Sequence, residues 1–218
     1  MPTTDLSPAT PCSGPAQLFP PAFFPSAGRY VAMAAIVARG GIPAVATAQR
    51  YDKRAKWVHR TMVADTRGEL RLTVPVVRPD GASTGTLTWS DVGISRHDRW
   101  WEIHRTTLES AYGRTPFFEF YIDRFLPFFS KSTPDDFASI AELDIAAERV
   151  VTDILLLPEP VAAAQSCRAA DIPAAPDPGP YWQVRADRFG FIPGMSILDL
   201  IFNCGPESAL IIRNTPLS

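Results

Sequence analysis

The sequence has few of the residues that metal-binding, disulfide-bonded and membrane-spanning proteins need. Its 218 residues include three cysteines and three histidines, all widely separated. We therefore expect neither a disulfide framework nor a zinc site, and no cofactor. No apolar run approaches the roughly 18–20 residues of a bilayer span, and residues 1–15 lack the basic and apolar regions of a secretory signal. These absences predict a soluble cytoplasmic protein that does not associate with membranes.

An excess of charge of one sign is also missing. The chain has 21 basic and 23 acidic residues, which gives a formal net charge of −2. This balance excludes binding of nucleic acid or an anionic membrane through the charge of a whole domain. Only three of the basic residues are lysines, so Lys53 and Lys56, which are close together, receive more weight than the scattered arginines.

Proline and apolar residues divide the chain. Residues 1–17 contain four prolines and no hydrophobic periodicity, which predicts a flexible tail without packed structure. Residues 18–212 are expected to form a single domain, because a chain of about 200 residues commonly folds as one unit. Residues 161–180 contain several prolines and few large apolar side chains, which predicts an exposed excursion rather than a helix or strand.

Alternation of apolar and polar residues predicts strands in the first half. A short run rich in Ile, Val and Thr predicts a strand over residues 42–49. Residues 57–64 and 69–77 are expected to pair across the turn at 65–68, and residues 86–94 to add one more strand. These strands would form a small N-terminal antiparallel sheet with one face in solvent.

The rest of the chain has helical signals. Helices are predicted over residues 31–38, 98–113, 116–128 and 133–157, with Asp98 as the N-cap of the second. Ser196 is expected to cap a short helix in the aromatic segment that ends the chain. The fold class is therefore α+β: an N-terminal sheet, a helical middle and a C-terminal aromatic segment that packs back on the first half.

The densest group of cations lies at residues 51–60. Lys53, His59 and Arg60 belong to it and could bind a phosphate or a carboxylate. The cations need not converge, since alternate side chains of an extended segment point to opposite faces. A solvated basic loop followed by an edge strand is the competing interpretation.

His104 is the best single candidate for acid–base chemistry. The predicted helix places it with Trp100, Trp101 and Leu108 on the apolar side. A half-buried imidazole can act as a general base, because modest changes in its surroundings move its pKa across neutrality. A core histidine with one hydrogen bond explains the same pattern.

Four other polar residues complete the candidate set. Tyr112 follows His104 along its helix, and Ser196, Asp199 and Asn203 lie on or next to the last predicted helix. A triad of Ser196, His104 and an aspartate can be drawn, but a capping serine is the more common role at such a position. Cys204 shows no sign of activation and is expected to be inert.

Read together, these segments resemble the WbqC-like family of bacterial proteins from about residue 18 to residue 207. The segments that carry the resemblance are residues 19–26 (FPPAFFPS) with Tyr30, 51–53 (YDK), 59–60 (HR), 72–76 (LTVPV), Trp101 with His104, 110–112 (SAY), 116–118 (PFF) with Tyr121, 191–193 (FIP), 196–199 (SILD), Asn203 and 205–207 (GPE).

The resemblance implies a role in an O-antigen, other polysaccharide or natural-product gene cluster, where an acyl or aminoacyl transferase activity has been suggested for the family. The polar positions of the family motifs fall on Lys53, Arg60, His104, Tyr112, Ser196, Asp199 and Asn203. Where many members have Asn-Arg, this chain has His59-Arg60, which leaves open whether position 59 binds substrate, catalyses or packs.

Three functions follow from these observations. The first is an acyl or aminoacyl transferase acting on a sugar or specialised metabolite, with His104 as general base, Lys53 and Arg60 as anion holders, and Tyr112, Asp199 and Asn203 as orienting groups. Its partner would be a small-molecule or carrier-bound acyl or aminoacyl substrate. The second is a non-catalytic module that binds a carrier or an anionic metabolite. The third is a thioester hydrolase or cyclase, which uses the same residues with another acceptor.

Overall fold

The computed structural model describes residues 16–81, 85–164 and 175–217. The fold class is α+β, as predicted. The strands are β1 (Ala16–Phe19), β2 (Ile42–Ala46), β3 (Arg60–Asp65), β4 (Gly68–Thr73), β5 (Val76–Val77), β6 (Gly93–Ile94) and β7 (Val161–Ala163). The helices are α1 (Ala27–Ala38), α2 (Trp100–Tyr112), α3 (Phe118–Phe125), α4 (Thr133–Asp136), α5 (Ile140–Ile154), α6 (Ala186–Phe189), α7 (Ile197–Cys204) and α8 (Glu207–Asn214).

The predicted antiparallel hairpin is present. Strands β3 and β4 pair in antiparallel register, with Arg60 opposite Thr73 and Asp65 opposite Gly68. Gly68 has a φ of 105°, a conformation that glycine adopts without steric cost at such a turn. Strands β5 and β6 form a second, shorter antiparallel pair. Of the predicted strand over residues 86–94, Gly93 and Ile94 form β6, and Trp89–Asp91 forms a 3-10 turn instead.

The strand predicted over residues 42–49 belongs to a different sheet from the one expected. It is β2, and it pairs in parallel with β1 on one side and β7 on the other. Helix α1 connects β1 to β2, as parallel neighbours require a crossover. Two expectations change as a result: Ala16 and Gln17 of the expected tail lie in β1, and the expected excursion begins with strand β7. Residues 1–15 and 165–174 of those segments lie outside the described residues.

Several helix boundaries differ from those predicted, and α1 begins at Ala27 rather than at residue 31. Asp98 does not cap α2; its φ is 66° and the helix begins at Trp100 without a side-chain cap. The expected long helix over residues 133–157 is two helices, because Phe137 is extended and Ser139 caps a new one by accepting the N–H of Glu142. The helix expected over residues 116–128 is shorter, since the chain tightens to a 3-10 turn at Leu126–Phe129.

The C-terminal segment packs back on the first half, as predicted. All eight residues of α7 are buried, and the Phe202 ring lies 5.7 Å from that of Phe125 on α3. At the start of α7, Ser196 donates its hydroxyl to the carbonyl of Phe24, 3.0 Å away. A single hydrophobic cluster includes residues from Phe19 to Ile212. No helix in the described ranges is long and apolar enough to cross a bilayer.

Candidate functional site

The basic segment does not converge on one point. Lys53 and Lys56 are exposed, and a 3-10 turn at Lys56–Val58 separates Lys53 from Arg60 at the start of β3. Arg60 is partly buried, and its Nε has no hydrogen-bond partner among the residues that the structure describes. Arg60 is therefore the cation of this segment that is held closest to the interior.

His59 is a packed residue. It is 9% exposed, its Nδ1 lies 3.1 Å from the carbonyl oxygen of Val74, and its ring lies 6.2 Å from that of Trp89. Burial lowers the pKa of His59, and the nearby charges of Arg60 and Lys56 lower it further, against the opposing effect of the bond to Val74. The imidazole is therefore uncharged at neutral pH. Its contacts with Val74 and Trp89 give it a structural role.

His104 lies next to the end of the hairpin at which β3 begins and β4 ends. The backbone of Thr73 lies close enough to its imidazole to raise the pKa of His104, and Thr73 faces Arg60 across the β3–β4 ladder. Nδ1 of His104 has no hydrogen-bond partner among the described residues. Thr73 thus links His104 on α2 to Arg60 on β3.

The surroundings of His104 are aromatic and dry. Its ring lies 5.2 Å from the ring of Trp100 and 5.9 Å from that of Phe129, and the side chain is 3% exposed. Burial lowers the pKa of His104 to about 4, although the backbone of Thr73 acts in the opposite direction. The imidazole is therefore neutral at pH 7, and one of its two nitrogens carries a lone pair.

Tyr112, Asp199 and Asn203 meet in a separate network. Oδ2 of Asp199 accepts the hydroxyl of Tyr181 at 2.7 Å and the amide of Gln183 at 2.8 Å. Asn203 donates to the backbone carbonyl of Asp199 and accepts the N–H of Val184. Burial raises the pKa of Asp199, and the hydrogen bonds that it accepts oppose this shift.

Tyr112 ties this network to the hairpin. Its hydroxyl accepts the backbone N–H of Ala64 at 3.0 Å. Burial raises the pKa of Tyr112 well above its usual value, and the neighbouring Asp199 raises it further. The phenol is therefore neutral and connects α2 to β3 and α7.

The candidate residues thus form two groups. His104 and Tyr112 are eight residues apart on α2, about 12 Å at 1.5 Å per residue. Arg60 and Ala64, their respective neighbours on β3, are separated by about 13 Å. Asp199 therefore lies too far away to orient His104 directly.

Ser196 and Cys204 show no activation. The Ser196 hydroxyl donates to Phe24 and accepts the N–H of Leu198, which is the capping role predicted and leaves no basis for a triad. Burial raises the pKa of Cys204 to about 11, and Glu207 and Asp199 add to the effect. The thiol is protonated at neutral pH, as expected. Cys12 and Cys167 lie outside the described residues.

A third polar cluster, between α1 and α5, was not predicted. Arg29 binds Glu148 through two hydrogen bonds, Nε to Oε1 at 2.6 Å and Nη2 to Oε2 at 2.7 Å. Tyr30 and Asp144 lie beside this pair and are 0% exposed. The Tyr30 hydroxyl and both Asp144 oxygens have no hydrogen-bond partner within residues 16–81, 85–164 and 175–217. The only sequence signal is an acid on the apolar side of the predicted helix, at Asp144.

Electrostatics in this cluster follow from burial. Burial raises the pKa of Asp144 well above its usual range. Repulsion from Glu148 raises it further, and this effect is larger than the lowering caused by Arg29. Burial alone would lower the pKa of Arg29, but the ion pair with Glu148 raises it. The cluster therefore holds an ion pair next to an uncharged carboxyl group. No group of three potential metal ligands occurs among the described residues.

A sequence model of the WbqC-like protein family matches residues 21–175. The chain belongs to the WbqC-like family. No curated protein and no solved structure shows a match to it. The WbqC-like match includes Arg29, Arg60, His104 and Asp144, and it ends before the segment that supplies Asp199.

Proposed function

We propose that this WbqC-like protein is an acyl or aminoacyl transferase that modifies a sugar or a specialised metabolite. The observation that carries the proposal is the arrangement around Thr73: its backbone lies against the His104 imidazole, Nδ1 of His104 has no partner in the described part of the chain, and Arg60 is opposite Thr73 in the ladder. A base and a cation are thus held on two sides of one residue.

His104 supplies the general base. A hydrogen bond from Nε2 to the Thr73 carbonyl would fix the tautomer and leave the free lone pair on Nδ1. That lone pair accepts the proton of the attacking amine or hydroxyl as it bonds to the donor carbonyl carbon, while Arg60 stabilises the oxyanion that forms. The intermediate then collapses with cleavage of the bond between the acyl carbon and the leaving thiolate or alkoxide, which takes the proton from the His104 imidazolium. A pKa of about 4 makes the resting imidazole a weak base. An anionic donor bound beside it raises that pKa, because a nearby negative charge favours the imidazolium.

The remaining candidates have supporting roles in this proposal. Lys53 is exposed and would contact a distal phosphate or carboxylate of the donor. Tyr112 and Asp199 would act as positioning residues, because they join α2, β3 and α7. We propose a structural role for Ser196 and Asn203, whose hydrogen bonds are made within the protein.

The test is thiol release from a panel of acyl and aminoacyl N-acetylcysteamine thioesters, with hydroxylamine as acceptor. His104→Gln should lower turnover at least about tenfold, the lower part of the range for a lost general base, with an unchanged circular dichroism spectrum. His97→Gln is the matched control, because His97 is exposed on the turn before α2. Equal turnover in both variants would exclude the proposed base. Thiol release that does not require hydroxylamine would instead indicate the thioester hydrolase or cyclase.

A second function, a non-catalytic module for a carrier or an anionic metabolite, is favoured by one observation. The His104 side chain is 3% exposed, so an acceptor reaches it only after a neighbouring side chain moves, whereas Lys53 and Arg60 are accessible without such a change. Calorimetry with coenzyme A distinguishes the two functions. A module would bind it in a salt-dependent manner that Lys53→Gln and Arg60→Gln weaken and His104→Gln leaves unchanged, without turnover of any thioester.

A further inference from the structure

A groove on the surface shares no lining residue with the sites described above. It lies between α1, α8 and the turn after α5, and its volume is about 460 Å³. Small-molecule sites have volumes of roughly 300–1,000 Å³. One wall is formed by Val31, Ala34, Ala35 and Ala38, whose spacing places them on a single face of α1.

The walls are aliphatic. Opposite α1, the groove is lined by Leu156, Leu157, Ile212 and Leu217. None of its described lining residues is aromatic, so they offer no surface on which a base or another ring could stack. None of these lining residues is acidic either, so they provide no partner for an amine. These walls suit a flexible aliphatic chain.

Two arginines supply the charge of the groove. Arg39 follows the last turn of α1, and Arg213 lies on α8. Arg213 donates from Nη2 to the carbonyl of Leu156 at 2.7 Å, which fixes its guanidinium at the edge of the groove. Guanidinium groups bind carboxylates through paired, charge-assisted hydrogen bonds. The charge of the groove is therefore complementary to an anion.

Leu156 adds an unusual feature. Its φ is 55°, in the left-handed region where a glycine is the common residue after a helix. Its side chain is nevertheless 70% exposed. A large apolar side chain held in a strained conformation at the surface extends the aliphatic wall towards solvent, and strain of this kind concentrates at functional sites.

We propose that this groove binds a medium-chain acyl carboxylate, with the alkyl chain along the α1 face and the carboxylate at Arg39 and Arg213. The inference goes beyond the proposed transferase function, because it concerns other residues and does not require that the protein be an enzyme. It rests on the shape of the groove, its aliphatic walls and its two cations.

Calorimetric titration of the full chain with decanoate and with decanol tests the proposal. Decanoate should bind with a Kd below roughly 1 mM, about tenfold tighter than decanol, the difference expected for one lost charge-assisted pair. Ala35→Trp should abolish binding by filling the groove. Leu210→Trp is the matched control, since Leu210 is an exposed residue of α8 that does not line the groove.

Arg39→Gln provides a variant that removes no packing. It should weaken decanoate binding about tenfold and leave decanol binding unchanged, whereas Arg114→Gln, at another exposed arginine, should have no effect. Decanoate binding that is no tighter than that of decanol, or that is unaffected by Arg39→Gln, would overturn the proposal. So would a dimer in sedimentation that Ala35→Trp dissociates, because the groove would then be an interface between two copies.

Discussion

Arg29 and Glu148 join α1 to α5 through a two-point ion pair that is almost entirely removed from solvent. The two side chains are 9% and 1% exposed, and the guanidinium carbon of Arg29 lies 4.8 Å from the centre of the Phe19 ring. Asp144 lies beside this pair, and neither of its oxygens has a hydrogen-bond partner in the part of the chain that the structure describes. The contact between the two helices therefore depends on one cation that faces two acids.

Removal of that cation should destabilise the fold. Arg29→Met leaves Glu148 as an uncompensated buried charge, so the free energy of unfolding should fall by about 3–5 kcal/mol. Urea denaturation measures the change. The double variant Arg29→Met/Glu148→Leu should recover most of the loss, because it replaces the pair with apolar side chains. An equally large loss in the double variant would show that the pair contributes through its packing rather than its charge.

Asp144 should make the protein less stable as the pH rises. Its folded-state pKa is raised above the unfolded value, so the folded state binds the extra proton, and stability falls from about pH 4 upwards until the folded pKa is reached. Asp144→Asn cannot ionise and should lack this component. The difference in unfolding free energy between the variant and the parent should therefore grow in favour of the variant between pH 4 and 8. A constant difference would contradict the raised pKa.

His104 should have the opposite dependence. Its pKa falls from 6.5 to about 4 on folding, so the unfolded state binds more protons between these values, and stability rises with pH through that window. The parent protein should lose roughly 2 kcal/mol between pH 7 and pH 5 from this group. His104→Gln should lose that component, which urea denaturation at both pH values would reveal. His97→Gln should keep it.

The Asp199 network should be sensitive to the loss of its acceptor. Asp199→Ala removes the acceptor of the Tyr181 hydroxyl and one of the two acceptors of the Gln183 amide, which keeps the carbonyl of Ile192. Each donor left unsatisfied costs about 1–3 kcal/mol. Asp199→Asn retains one carbonyl oxygen and should cost less. Thermal denaturation of the two variants checks the order. If alanine is tolerated as well as asparagine, the hydrogen bonds do not hold the network together.

At position 156, glycine should give a more stable protein than a residue with a Cβ. Its left-handed backbone costs a residue with a Cβ about 1–2 kcal/mol, so Leu156→Gly should be more stable than Leu156→Ala by about that amount. Both variants remove the exposed side chain, which makes alanine the control for its loss. Equal unfolding midpoints would show that the backbone is not strained at this position.

The local elements of the fold could be predicted because their signals lie within a few residues. The alternation in β3 and β4 and the turn at Gly68 predict the hairpin, and Ser196 predicts the cap of α7. The parallel sheet could not be predicted in this way. Strand β7 has three residues and follows a proline-rich pattern, and only pairing with the distant β2 stabilises it as a strand.

The candidate site was predictable to a similar extent. The apolar periodicity around His104 correctly placed it in the interior, because helical spacing shows which residues share the buried face of a helix. Its distance from Asp199 depends on how α2 packs against β3 and α7, which no local pattern encodes. Arg29 and Glu148 are far apart in sequence, so their pairing could not be predicted either; Asp144 alone gave a signal.

The hydrogen bond between Ser196 and Phe24 constrains the order in which the protein can mature. The hydroxyl that donates to the carbonyl of Phe24 belongs to Ser196, 172 positions later in the chain. At about 5–20 residues per second, the ribosome needs roughly 10–35 seconds to supply it. During that interval Phe23 and Phe24, both fully buried in the finished fold, remain on a nascent chain that lacks the segment hydrogen-bonded to Phe24. Synthesis therefore passes through a stage at which the amino-terminal aromatic residues are open to chaperones.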